Sequence, residues 1–132
     1  MNKEELLETE KMLEGLFESM KTKPEFRELS KKFAHDVDKI GISIEDMGFF
    51  RTLLFEEGVL TNFDKHLHED TNFIINTTGD RAARMKQYME KKDLGGLIKE
   101  AKGIQMPLKY KIRIIKTVMS SAGQIKNIIK GN

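Results

Sequence analysis

The chain contains no cysteine, no tryptophan and only two prolines. Without thiols there can be no disulfide, thiolate nucleophile, cysteine-ligated zinc or cluster ligation, and the fold must hold by packing alone. That absence fits a reducing compartment, and a cytoplasmic location is expected. Long apolar runs are missing too. The longest are three residues, as in Phe73-Ile74-Ile75, against roughly 20 for a membrane-spanning helix, so no stable membrane insertion is expected. The acidic start, Glu4, Glu5, Glu8 and Glu10, lacks the basic-then-apolar order of a secretory leader, and none is expected. There is no Gly-x-Ser-x-Gly elbow, Walker loop or dinucleotide glycine fingerprint, and Ser120-Ser121 has no sequence cue for a base. No catalytic residue, enzyme activity or cofactor is therefore expected.

What is present suits one globular domain: 132 residues, 39% apolar and 33% charged, with eight Phe and eight Met giving the apolar set a soft, aromatic character. The Phe- and Met-rich interior reads as core filling rather than as a haem or sensor pocket.

Apolar residues recur at helical spacing along most of the chain, and period-2 alternation is noted only in Lys109 to Ile114. The expectation is an all-α, compact single-domain bundle of six to seven short helices with orthogonal or irregular packing. A first helix runs from about Lys3 to Met20 with Asn2 as cap. Thr22 and Glu25 form a capping box for a second, with Pro24 in its first turn and Phe26, Leu29, Phe33, Val37 and Ile40 inward until Gly41. Ser43 caps a third, ending at Gly58, whose Met47, Phe49, Phe50, Leu53, Leu54 and Phe55 spread around the helix. Thr61 begins a fourth with Phe63, Leu67 and Ile74, Asp80 caps a fifth, Leu94 to Lys102 is a sixth, and Pro107 opens the last, with Gly123 placed to bend it. The turn from Asn76 to Asp80 is the one hinge expected.

The same turn divides the charge. Residues 1 to 79 hold 10 Lys and Arg against 17 Asp and Glu, a balance of −7, and residues 80 to 132 hold 13 against 4, a balance of +9. From residue 103 onward Lys109, Lys111, Arg113, Lys116, Lys126 and Lys130 meet no carboxylate. Such a field can attract an acidic partner or a phosphate backbone, or the two halves can screen each other within one domain. A helix-turn-helix over residues 24 to 57 is disfavoured, because its second helix offers Glu45, Asp46, Glu56 and Glu57 to the groove.

The only cluster of ligand-type residues is Lys65-His66-Leu67-His68-Glu69-Asp70. On a helix, His66 and Asp70 would share a face, with His35 or Glu56-Glu57 needed as a third ligand. A surface ion pair between His66 and Asp70 is the expected arrangement, and no metal site is expected.

Function is accordingly expected to be protein–protein interaction by a non-enzymatic regulator, inhibitor or assembly subunit, including self-association, through Phe49, Phe50 and Phe55. The alternative is sequence-blind nucleic-acid binding, or capture of an acidic partner, through Arg81, Arg84, Lys86, Lys91, Lys92, Lys109, Arg113 and Lys116. Tyr88 and Tyr110 are the aromatics that would stack on bases.

Overall fold

The computed structural model describes residues 2–129, of which 127–129 are described by backbone only; Lys130 of the basic run lies outside the described residues. The fold is mixed α/β, which corrects the all-α expectation. Two helices, α1 (Lys3–Thr22) and α2 (Pro24–Ala34), precede four strands, β1 (Lys39–Ile44), β2 (Phe49–Glu56), β3 (Val59–Asp64) and β4 (Phe73–Asn76). Four helices complete the described chain: α3 (Gly79–Glu90), α4 (Leu94–Lys102), α5 (Leu108–Ser120) and α6 (Ala122–Ile129). The strands form one sheet in the order β3-β2-β1-β4, with β1 antiparallel to β2, β2 antiparallel to β3 and β1 parallel to β4.

The sheet lies where helices are expected from spacing alone. Ile40, Ile42 and Ile44 are separated by Gly41 and Ser43, the alternation of a strand, and β-branched side chains suit a pleated surface. Read as helix end, stop and cap, the same letters give a different element. In β2, Phe49, Arg51, Leu53 and Phe55 point to one face; the first three pair in register with Ile44, Ile42 and Ile40 of β1, Leu53 also pairs with Phe63 of β3, and Phe55 pairs with Leu60. The residues that seem to spread around a helix are thus the two sides of a strand. Lys109 to Ile114, noted for its alternation, lies within α5.

The β2–β3 turn is a two-residue hairpin at Glu57 and Gly58, with φ of 52° and 82°. An added Cβ at Gly58 would lie 3.0 Å from the Lys31 Cα in α2, and the buried Ser30 hydroxyl donates to the Gly58 carbonyl at 2.7 Å. Glycine is needed there for both backbone sign and space.

Helix ends match the sequence more closely. Asn2 accepts from the Glu5 amide at 2.8 Å and Asp93 from the Gly96 amide at 3.0 Å. The capping box is not formed. Thr22 is the last residue of α1 and donates back to the Glu18 carbonyl, while Lys23 is the N-cap residue of α2 and makes no side-chain capping hydrogen bond. Thr78, not Asp80, caps α3. The last helix is broken at Ser121, two residues before the glycine expected to bend it. The expected hinge is tied on both sides: Asn76 bridges Gln105, and the Gly79 amide donates to Asp46 at 2.9 Å.

Candidate functional site: an apolar cavity over the sheet

One face of the sheet carries Ile40, Ile42, Ile44, Leu53, Phe55 and Ile75, and all six helices contribute to a wall above it. Amphipathic helices normally close onto such a face. Here they enclose a cavity of about 650 Å³, within the ~300–1,000 Å³ typical of small-molecule sites. Leu13, Phe17 and Met20 of α1, Met85 and Met89 of α3, Leu97 and Ile98 of α4, and Ile114, Ile115 and Val118 of α5 line it. Five of the eight methionines are wall residues, an adaptable surface because the thioether chain is unbranched and polarizable.

Polar groups in the wall are few. Ser19, Lys23, Thr77 and Lys111 supply them, and no carboxylate or imidazole is among the described lining residues. Lys111 donates to the Lys102 carbonyl at 3.1 Å, joining α5 to α4 at the wall. The Thr77 hydroxyl is buried and has no hydrogen-bond partner among the described residues. Such a group costs about 1–3 kcal/mol to leave unpaired.

The walls are pinned by specific contacts. Arg51, buried on the cavity-side face of β2, reaches Glu14 of α1 at 2.6 Å and Glu10 at 3.4 Å, with its guanidinium 4.1 Å from the Phe49 ring centroid. Tyr110 of α5 stacks on Phe73 of β4, with centroids 4.1 Å apart and planes at 15°. Arg113 holds Asp36 at 2.6 Å and also donates to the Phe33 carbonyl, fastening α5 to the end of α2. Its hydrogen bond keeps the Asp36 carboxyl below the usual carboxylate range. Glu100 of α4 is held low in the same way, chiefly by the hydrogen bond from Arg84 and then by the charges of Arg84 and Arg81.

These contacts place the residues singled out from sequence. Phe49 and Phe55 are buried in the chain's own core at 2% and 4% exposure, so they cannot serve as exposed anchors; Phe50 is half-buried on the other face of β2. Of the eight cations, Arg81 and Arg84 bind Glu100, Lys86 binds Glu90 and Glu8, and Arg113 binds Asp36. Two of those pairs cross the acid–base divide, so part of the charge polarity is screened internally. Lys91, Lys92, Lys109 and Lys116 remain on the surface. Tyr110 is taken up by Phe73 and Tyr88 packs against Gly96, which removes the aromatics proposed for base stacking. Nothing in this arrangement supports nucleic-acid binding.

The expected ion pair of His66 with Asp70 does not form. Its segment is the irregular connection from β3 to β4, with bends at Lys65 and His66 and a turn at Glu69 and Asp70, not a helix, and Asp70 is bound by Lys39 at 2.9 Å. The cavity itself was hidden in the sequence, because wall and core use the same apolar residue types. The abundance of Met is its one compositional trace.

A four-stranded mixed sheet with its helices gathered over one face and an apolar hollow between the layers defines the class of fold. No family model matches the chain, and no curated protein matches it. Among solved structures it is similar to a "UbiJ-SCP2 Ubiquinone synthesis protein", with a TM-score of 0.51 and 10% identity, over 93% of this chain and 96% of that one. At that identity the likeness shows the fold: an SCP2-type architecture across nearly the whole chain. Among the described residues, no helix is long and apolar enough to cross a membrane.

Proposed function

We propose that this protein is a non-enzymatic binding or accessory protein that takes up a lipid-like molecule in the cavity between sheet and helices. The cavity of about 650 Å³ with an almost wholly apolar wall carries this reading. Apolar space of that size leaves its lining without apolar contacts unless something fills it. The ligand class is set by the wall: a long apolar body fits the Ile-, Leu- and Met-lined interior, and one polar group fits near the buried Thr77 hydroxyl. Lys23 and Lys111 supply positive charge at the lining, which favours a neutral or anionic head over a cationic one. Support for binding rather than bond-making comes from the described lining residues, which include no carboxylate or imidazole to act as a base. The fold neighbour's description concerns ubiquinone, a molecule with a long apolar tail and a polar ring, and that chemistry matches this cavity.

The test is organic extraction and mass spectrometry of the purified protein, and then titration of the stripped protein with a fluorescent long-chain fatty acid. One saturable site is expected. Ala101→Phe, which fills the wall from α4, is expected to reduce binding at least tenfold while the helical and strand signals in circular dichroism stay unchanged. Absence of extractable lipid together with no saturable probe binding rejects the reading.

A second reading, a protein-binding accessory role, is favoured by the exposed Leu108, Ile112 and Met119 on α5, at 67%, 44% and 60% exposure, beside Lys109 and Lys116. It moves the expected contact surface from the phenylalanines of β2 to α5.

A further inference from the structure

The second face of the sheet holds a separate cluster. The connection from β3 to β4 crosses this face: Leu67 and Thr71 lie over Gly41 of β1, where an added Cβ would meet the Leu67 Cδ2 at 3.1 Å. The chain bends at Lys65 and His66 as it leaves β3, and Asp64, His66 and His68 come together, each offering a ligand atom within 4.8 Å of the others. The Nε2 of His68 lies 2.7 Å from Asp64 Oδ2, and the two imidazoles stack with centroids 4.9 Å apart. On a helix, residues two apart point in nearly opposite directions, which is why the sequence directs attention to His66 and Asp70 instead.

One residue holds all three positions. Thr52 of β2 is fully buried and its backbone pairs in register with Asp64. Its hydroxyl donates to the His66 carbonyl at 2.7 Å and accepts from the His68 amide at 2.9 Å. Leu67, between the two histidines, lies against Gly41, and the His66 side chain is exposed. Beyond them, an Asp70 oxygen lies 3.9 Å from His68 Nδ1, and Lys39 holds Asp70 at 2.9 Å. A carboxylate beside the second nitrogen of a ligating imidazole fixes ring orientation and raises its basicity.

We propose that Asp64, His66 and His68 form a binding site for a divalent transition-metal ion of the zinc class. Two imidazoles and one carboxylate are a donor set that such ions prefer and that Mg²⁺ and Ca²⁺, which take oxygen ligands, do not. Ligand atoms at about 2.0–2.1 Å from a tetrahedral ion lie roughly 3.3 Å from one another, so the cluster needs only rotation of the exposed His66 side chain to close. The ion displaces the proton now shared between His68 and Asp64. It clips the β3–β4 connection to the sheet edge, on the face away from the cavity, so the site stands apart from the lipid-binding reading.

The experiment is calorimetric titration of the untagged full chain with zinc chloride, with magnesium chloride as comparison, and melting curves at each metal concentration. One zinc per chain is expected, with no heat from magnesium and a melting temperature that climbs as zinc saturates the folded state. His66→Ala and His68→Ala are each expected to weaken binding at least tenfold, whereas His35→Ala, at an exposed position outside the cluster, leaves it intact. Circular dichroism confirms folding of each variant. Cobalt(II) in place of zinc is expected to give the intense visible bands of a tetrahedral site. The proposal is overturned by no saturable zinc binding at about 100 μM, roughly a hundred times above a micromolar dissociation constant. Binding that survives the double change His66→Ala, His68→Ala, or that is lost in His35→Ala, overturns it equally.

Discussion

The Arg51 guanidinium, buried on the cavity-side face of β2, lies 2.6 Å from the Glu14 carboxylate on α1. This contact sets where the first helix crosses the sheet, and therefore one wall of the cavity. Arg51 is only 7% exposed, so removing its partner strands a charge among Phe49 and neighbouring apolar groups. Glu14→Ala is expected to lower the unfolding free energy by about 1–3 kcal/mol, with Glu10 compensating in part. Arg51→Met, which removes the charge and keeps the volume, is expected to cost less than Glu14→Ala in the same urea titration. The opposite order would show that the pair itself is what stabilises.

Gly58 combines a φ of 82° with close approach to the Lys31 backbone. Gly58→Ala is expected to destabilise by about 1–3 kcal/mol, through strain and displacement of α2. Gly15→Ala gives the contrast. Nothing lies within 4 Å of the added methyl there, and it sits inside a helix, so it is expected to be stabilising by about 0.5–1 kcal/mol. Thermal melts of both variants test the pair.

Leu53 and Leu54 are neighbours in β2 with opposite fates. Leu53 is 4% exposed on the cavity side, and Leu54 is half-buried on the far face. Leu53→Ala is expected to cost about 2–5 kcal/mol and Leu54→Ala clearly less, measured by denaturant unfolding. Equal losses would contradict the strand assignment.

Thr77→Val removes a buried hydroxyl that has no partner among the described residues. Stability of the empty protein is expected to stay the same or rise by about 1 kcal/mol. Affinity for an amphiphile with a hydrogen-bonding head is expected to fall severalfold, while that for a plain long-chain hydrocarbon does not change. The two ligands compared in one titration series decide it.

Acid is expected to loosen the helical wall. The Glu100 carboxyl is held low by hydrogen bonding to Arg84 and by the Arg84 and Arg81 charges, and Asp36 by Arg113. A carboxyl whose value is lower folded than unfolded adds stability above its unfolded value of about 4, and that stability disappears as the pH drops through the folded value. The melting temperature is thus expected to be level from pH 7 to 5 and to fall below about pH 4. In Glu100→Gln the curve starts lower and drops less.

Much of the helical part was legible. Asn2 caps α1, α4 starts after Asp93, Pro24 opens α2 and a break falls near Gly123, because capping is local chemistry between residues three or four apart, whereas Pro107, expected at the first position of the last helix, is the N-cap residue of α5. The strands were not, because a short run such as Ile40 to Ile44 fits two periods at once. Ile40 continues the helical spacing of Phe33 and Val37, and it also begins the alternation of Ile42 and Ile44. Only pairing with β2 and β4 selects between them. Of the site, the sequence offered residue types without places: the histidines were visible, but their grouping with Asp64 depends on a bent, non-helical connection held by Thr52.

By itself, then, the sequence determined composition, the starts of helices α1, α2 and α4, the absence of thiol chemistry and of long apolar runs, and the uneven distribution of charge. Those are set by residue identity and by contacts a few positions apart. Tertiary structure decided that residues 39 to 76 form a sheet, that Phe49 and Phe55 are interior, and that helices α1 to α6 stand off the sheet far enough to leave an apolar hollow. The reason is physical: burial rewards apolar side chains equally whether they meet one another or surround a space, so only the distance between layers separates a core from a cavity.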